Sequence, residues 1–124
     1  MLTDSRGVKD VPFEDFDTQV KSLRAPVSLA EGTSNGTAIQ LPGVCRALFT
    51  QITGAINDSG SLVGTIEESA TGSGGWTTVV TFTAAAANTV QKAYATLTQP
   101  YVRHVAVVTG GGSGTVLTSA SVIY

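Results

Sequence analysis

Apolar and polar residues alternate with a period of two through most of this chain, in short runs punctuated by Gly, Ser, Asn and Asp. Such runs, rich in β-branched residues, predict strands, because successive side chains of a strand point to opposite faces. Seven are expected: Ala38–Leu41, Cys45–Ile52, Leu62–Ser69, Trp76–Thr83, Val90–Leu97, Tyr101–Val108 and Thr115–Ile123. Each has one face to bury, so two antiparallel sheets packed face to face are the economical arrangement. The expected fold class is all-β: an antiparallel β-sandwich with a jelly-roll-like core.

The first quarter of the chain reads differently. Charged residues from Asp4 to Glu31 crowd it and thin out afterwards, which places a compositional boundary near Glu31–Gly36 and divides the chain into an arm, 1–31, and a β domain, 32–124. Phe13, Phe16, Val20 and Leu23 recur at steps of three and four, Pro12 suits a first helical turn, and Glu14 and Asp15 suit the positive end of a helix. A short amphipathic helix and an extended arm carrying two phenylalanines both satisfy this pattern. In either form the arm is the candidate docking element, with Phe13 and Phe16 as anchors and Arg6, Lys9, Lys21 and Arg24 as rim contacts.

Within the strands, alternation assigns faces. Tyr101, Arg103, Val105 and Val107 share one face, while Val102, His104, Ala106 and Val108 share the other; both are fairly apolar, which marks a central strand. On Trp76–Thr83, alternation puts Trp76, Thr78, Val80 and Phe82 on one face and Thr77, Val79 and Thr81 on the other, so Trp76 shares its side with Val80 and Phe82. Trp76, Phe82, Val105 and Val107 are therefore expected as core anchors. The loop Thr109–Gly114, TGGGSG, is expected to turn the chain into its last strand as a hairpin.

Composition narrows the function. The 124 residues make one domain, with 13% charged residues and a net charge of −2. Seven basic residues argue against a nucleic-acid surface, which is built from clustered Lys and Arg. The N-terminus lacks a secretory pattern, and no apolar run approaches a membrane span, so no membrane partner is expected. No catalytic constellation assembles: His104 is the single histidine and sits in a strand without a nucleophile motif, and Glu67 and Glu68 point to opposite faces. Cys45 is alone, so it forms no intrachain disulfide and reads as a small strand hydrophobe. Asn57–Ser61, NDSGS, lacks the acidic spacing of a calcium loop and reads as a hairpin turn, and no lysine or helix follows the glycine loops. The expectation is a protein that is not an enzyme and uses no metal or other cofactor.

The stretches ESATGSGGWTTVVTF and QPYVRHVAVVTGGGSGTVLTSASVIY resemble a pattern of small virion proteins of tailed bacteriophages, the capsid decoration or cement proteins. The resemblance covers about Leu62–Tyr124 and rests on Glu68, Ser69, Trp76, Tyr101, Val102 and Arg103, which look like fold determinants, so no contact residue is carried over from it. It implies a structural protein made in the host cytoplasm and placed on the outer capsid surface. Its partners there are the major capsid protein and further copies of itself, as a homodimer or homotrimer. A tail, neck or head-completion component has the same type of fold and is the alternative. A carbohydrate-binding sandwich that stacks sugars on Trp76, Tyr94 or Tyr101 is a third, weakened by an aromatic content of 6%.

Overall fold

The computed structural model describes residues 19–124. Nine strands make two antiparallel sheets: β1 (Val20–Ala30), β2 (Gly32–Asn35), β3 (Ile39–Gln40), β4 (Cys45–Asn57), β5 (Ser61–Ser69), β6 (Thr77–Thr81), β7 (Thr89–Leu97), β8 (Tyr101–Thr109) and β9 (Thr115–Ile123). One sheet runs β1-β9-β4-β7; the other runs β2-β8-β5-β6, with the short β3 also on β8. The antiparallel pairs β1·β9, β2·β8, β4·β7 and β5·β6 are nested in the sequence. A long folded ribbon that wraps so that its successive pairs fall in alternate sheets is the jelly-roll arrangement. All seven expected strands are present, and the described residues contain no helix.

Two expectations change. Val20–Ala30, assigned to the arm, is instead β1, paired with β9 from Val20↔Ile123 to Ala30↔Thr115, so the sandwich begins well before residue 32. Of the charges that marked the arm, Lys21 and Arg24 fall on this edge strand, Lys21 exposed and Arg24 turned toward the second sheet. Phe13, Phe16, Arg6 and Lys9 lie outside the described residues. The turns at Asn57–Ser61 and Thr109–Gly114 are also not hairpins within a sheet. β4 and β5, like β8 and β9, lie in different sheets, so both turns are corners of the sandwich. At the first corner Asp58 and Ser59 take φ of 54° and 61°, and the Gly60 N–H bonds the Asn57 carbonyl at 3.0 Å. That is the tight reversal that Asp and Ser tolerate better than bulky residues. At the second, the Glu31 carboxylate accepts from the Gly112 and Gly114 N–H groups at 2.6 and 2.7 Å. Gly111 and Gly112 hold positive φ there, which aims those donors at one anion.

The inner faces interdigitate as alternation requires. Phe49, Leu97, Val122, Leu23, Ile66 and Val102 form the main core, with Val80 and Phe82 closing it from β6 and the residues after it. Leu62, Ala106, Val108 and Val116 make a smaller cluster toward the end of the sandwich where the two corners lie.

Candidate interaction surfaces and the buried polar relay

One line of polar side chains crosses the interior from sheet to sheet. Arg24 on β1 donates from Nε to His104 Nδ1 on β8 at 3.0 Å. His104 Nε2 lies 2.7 Å from Gln51 Oε1 on β4, Gln51 Nε2 donates to Gln91 Oε1 on β7 at 2.8 Å, and Gln91 Nε2 donates to the Thr83 carbonyl at 2.8 Å. The Arg24 donor requires Nδ1 to be the bare nitrogen, so the proton sits on Nε2 and goes to Gln51. Arg24 also bonds Ser34 Oγ, the Ser34 carbonyl and the His104 carbonyl, which ties β1 in one sheet to β2 and β8 in the other. His104 is fully buried. Burial first, and then the neighbouring Arg24 charge, push its imidazole down to about 4.

Gly64 on β5 leaves the space for this relay, since a Cβ there would lie 1.6 Å from Gln51 Oε1 and 2.8 Å from His104 Nε2. Both ring nitrogens of His104 are engaged, and the histidine serves as a strut between the sheets. Desolvation lowers the Arg24 pKa as well. Arg24 was expected as a rim contact for a partner; the structure commits its guanidinium to the interior. Lys21, its companion in that expectation, donates to the Gln40 carbonyl at 3.2 Å and sits 5.8 Å from the centre of the Tyr124 ring.

Glu67 and Glu68 diverge as neighbours in a strand must. Glu68 is buried and accepts from the Thr98 N–H, the Thr98 hydroxyl and the Gln99 N–H at 2.9, 2.9 and 3.1 Å, fastening the β7–β8 corner. Ser69 accepts from the Thr71 and Gly72 N–H groups and donates to the Gly74 carbonyl, shaping the β5–β6 loop. Glu67 faces outward, with Oε1 2.9 Å from Arg103 Nε and 2.8 Å from its Nη2. The Arg103 guanidinium in turn lies over the Trp76 ring, 4.2 Å from its centre.

Trp76 is thus not a core anchor. The β5–β6 ladder pairs Ile66 with Val80 but Glu67 with Thr78, so Val79 is an extra, bulged residue. A bulge shifts the alternation by one. Val80 faces the core while Thr78 sits opposite the outward Glu67, and Trp76, just before β6, joins the outer Glu67–Arg103 pair half-buried. Of the other three expected anchors, Phe82 and Val105 are buried, whereas Val107 is 38% exposed on the outer face of β8.

The outer face of the four-stranded sheet carries large exposed apolar side chains among polar ones such as Thr50, Lys92 and Thr96. Ile52, Val90, Leu117 and Tyr94 are 46, 56, 41 and 64% exposed. A shallow recess of about 300 Å³ lies between Pro26, Ile52, Gly54 and Leu117. Arg46 covers part of Tyr94, its guanidinium 5.0 Å from the ring centre. A second cleft, of about 480 Å³, opens between β1 and the β2–β3 connection beside Arg24, Asn35 and Thr37. Cys45 is half-buried at the core margin, where burial pushes its thiol up. Among the described residues no group of three or more His, Cys, Asp or Glu is arranged to hold a metal ion.

No family model and no curated protein matches the chain. Among solved structures it is similar to the PBSX exported protein XepA, with a TM-score of 0.60 and 16% identity, over 85% of this chain and 36% of that one. At that identity the likeness establishes a shared fold. The infectious bursal disease virus Gt strain structure aligns at a TM-score of 0.41 and 17% identity, over 86% of this chain and 32% of that one. The chain spans about a third of the length of the solved chains it matches.

Proposed function

We propose that this chain is a non-enzymatic structural protein of a tailed-phage virion. In this reading it decorates the outer capsid surface, bridges neighbouring copies of the major capsid protein and works in many copies. The observation that carries the reading is the outer face of the four-stranded sheet, where Ile52, Val90, Leu117 and Tyr94 remain exposed on a chain with few charges. A monomer that stays soluble through its surface charge rarely presents such a face, whereas a protein covered by neighbours does. The fold shared with a PBSX phage protein supports a phage setting, as does the resemblance carried by Leu62–Tyr124. The relay and corner carboxylates support a rigid building block, since every polar group named in them is used inside the fold.

The test is the copy number of this chain in purified particles of its source phage, measured against the major shell protein. A number comparable to the shell protein supports capsid decoration. A handful of copies supports the alternative, a tail, neck or head-completion component, and absence from particles ends both. The sugar-binding reading is disfavoured by Trp76, one face of which is already occupied by Arg103. Deleting residues 1–18 should leave the sandwich folded and weaken attachment if the segment with Phe13 and Phe16 docks.

A further inference from the structure

A two-sheet sandwich has four edges, and each exposes backbone N–H and C=O groups that invite another strand. Three edges here are blunted. β1 is broken by register shifts between Ser22 and Arg24 and between Arg24 and Val27, with Pro26 inside the second. β2 and β3 have four and two residues. β6 has five and is bulged against β5. β7 carries none of these devices. Its nine residues pair with β4 in unbroken register from Cys45↔Leu97 to Thr53↔Thr89. They include no proline or glycine and a single charge, Lys92, and among the described residues no strand pairs with their other side.

We infer that this edge is a self-association site, at which a second copy of the chain adds its own β7 antiparallel to the first, about a two-fold axis through Ala93. The sequence of β7 selects that occupant and that register. A two-fold perpendicular to the sheet keeps outer face beside outer face, so residues of like parity meet. Ala93 is the midpoint of Thr89–Leu97, and an axis there uses the whole strand. Ala93 meets Ala93, Gln91 meets Ala95, Val90 meets Thr96, and Lys92 meets the second copy's Tyr94. Moving the axis to Lys92 sets two ammonium groups directly opposite each other, and moving it to Tyr94 shortens the ladder. Lys92 thus acts as a register key, and its aliphatic stem covers an aromatic ring that is 64% exposed in the single chain. The pairing forms about eight to ten interchain hydrogen bonds and merges two four-stranded sheets into one of eight strands. The site deepens the self-association named in the proposed function, but it rests on the edge itself and not on a virion setting.

The test is the mass of the full chain in solution by sedimentation over a range of concentrations, with two double variants. Val90 and Thr96 are both exposed; because Arg46 of the same chain lies opposite Thr96, circular dichroism and urea unfolding of each variant check that the folded monomer is retained, so that a change in mass reports the interface. Val90→Lys with Thr96→Lys sets like charges opposite each other twice per interface and should weaken the dimer about tenfold or more, whereas Val90→Lys with Thr96→Glu should restore it. A chain that is monomeric at every soluble concentration overturns the inference. So does a dimer indifferent to the double lysine variant, which would mean that a different surface is used. A monomer present in particles at shell-protein copy number removes the β7 site and leaves the virion reading standing; a β7 dimer missing from particles does the reverse.

Discussion

His104 is the only histidine in the chain, so its protonation can be followed as a single set of ring resonances. In the fold its imidazole is pushed down to about 4, while the unfolded chain restores the ordinary value of 6.5. Between those values the unfolded state takes a proton that the folded state refuses, so stability falls as pH falls through the window and is unaffected by this group above it. The gap corresponds to about 3 kcal/mol in all, of which about 1 kcal/mol is lost between pH 6 and pH 5. That interval is diagnostic, because carboxylates of ordinary pKa are still mostly ionised there. Urea unfolding at stepped pH should show the slope, and His104→Gln should abolish it while lowering stability throughout, since Arg24 and Gln51 lose their partner. An NMR titration of the folded protein with a midpoint near 6.5 would refute the relay, because an imidazole that accepts a hydrogen bond from Arg24 cannot protonate so readily.

Gly64→Ala drives a methyl into the Gln51–His104 contact; it should cost about 2–4 kcal/mol in chemical denaturation and move the histidine midpoint toward its ordinary value. Glu68→Ala strands the three donors at Thr98 and Gln99, with an expected loss of about 2–4 kcal/mol in the same assay. Trp76→Ala should cost only about 1–2 kcal/mol, because it removes a half-buried ring stacked under Arg103; a loss of about 3–5 kcal/mol would return Trp76 to the core. Thr53 is buried, with no partner for its hydroxyl among the described residues; Thr53→Val should raise the melting temperature, by about 1 kcal/mol of stability.

Strand positions were legible because each strand carries its own period-two pattern, and β4, β5, β7, β8 and β9 begin within one residue of where that pattern places them. Connections were not. Asn57–Ser61 and Thr109–Gly114 both have hairpin chemistry, but a two-residue reversal with positive φ serves equally to turn a corner between sheets. Which it does depends on whether the flanking strands find better partners elsewhere. β4 finds β9 and β7, and β8 finds β5 and β2, so neither pairs with its sequence neighbour across those loops. β1 was hidden for a related reason. An edge strand solvated along one side tolerates Lys21 and Pro26, and these, with an Arg24 that turns inward to His104, dilute the alternation by which the central strands declare themselves.

The surface chemistry follows the same logic at the scale of single residues. Face assignments hold as far as the ladder is regular, so Val102, His104, Ala106 and Val108 are buried together as the alternation of β8 requires. One bulged residue, Val79, is enough to turn Trp76 from the core side to the solvent side, and nothing in TTVV announces it. The relay has no local signature either, because its members stand on β1, β4, β7 and β8 and meet only when the sheets stack. The sole advance signal was chemical. A histidine and two glutamines on strands with apolar neighbours must find partners or pay for desolvation, and Gly64, a glycine inside a strand, marks where a neighbouring group comes close. Together, Gly64 and a buried His104 on neighbouring strands point to a polar strut at that place. Such a strut places this part of the protein's polar chemistry between the sheets, and leaves the exposed apolar side chains of the outer face and the unpaired β7 edge as the surfaces proposed above for association.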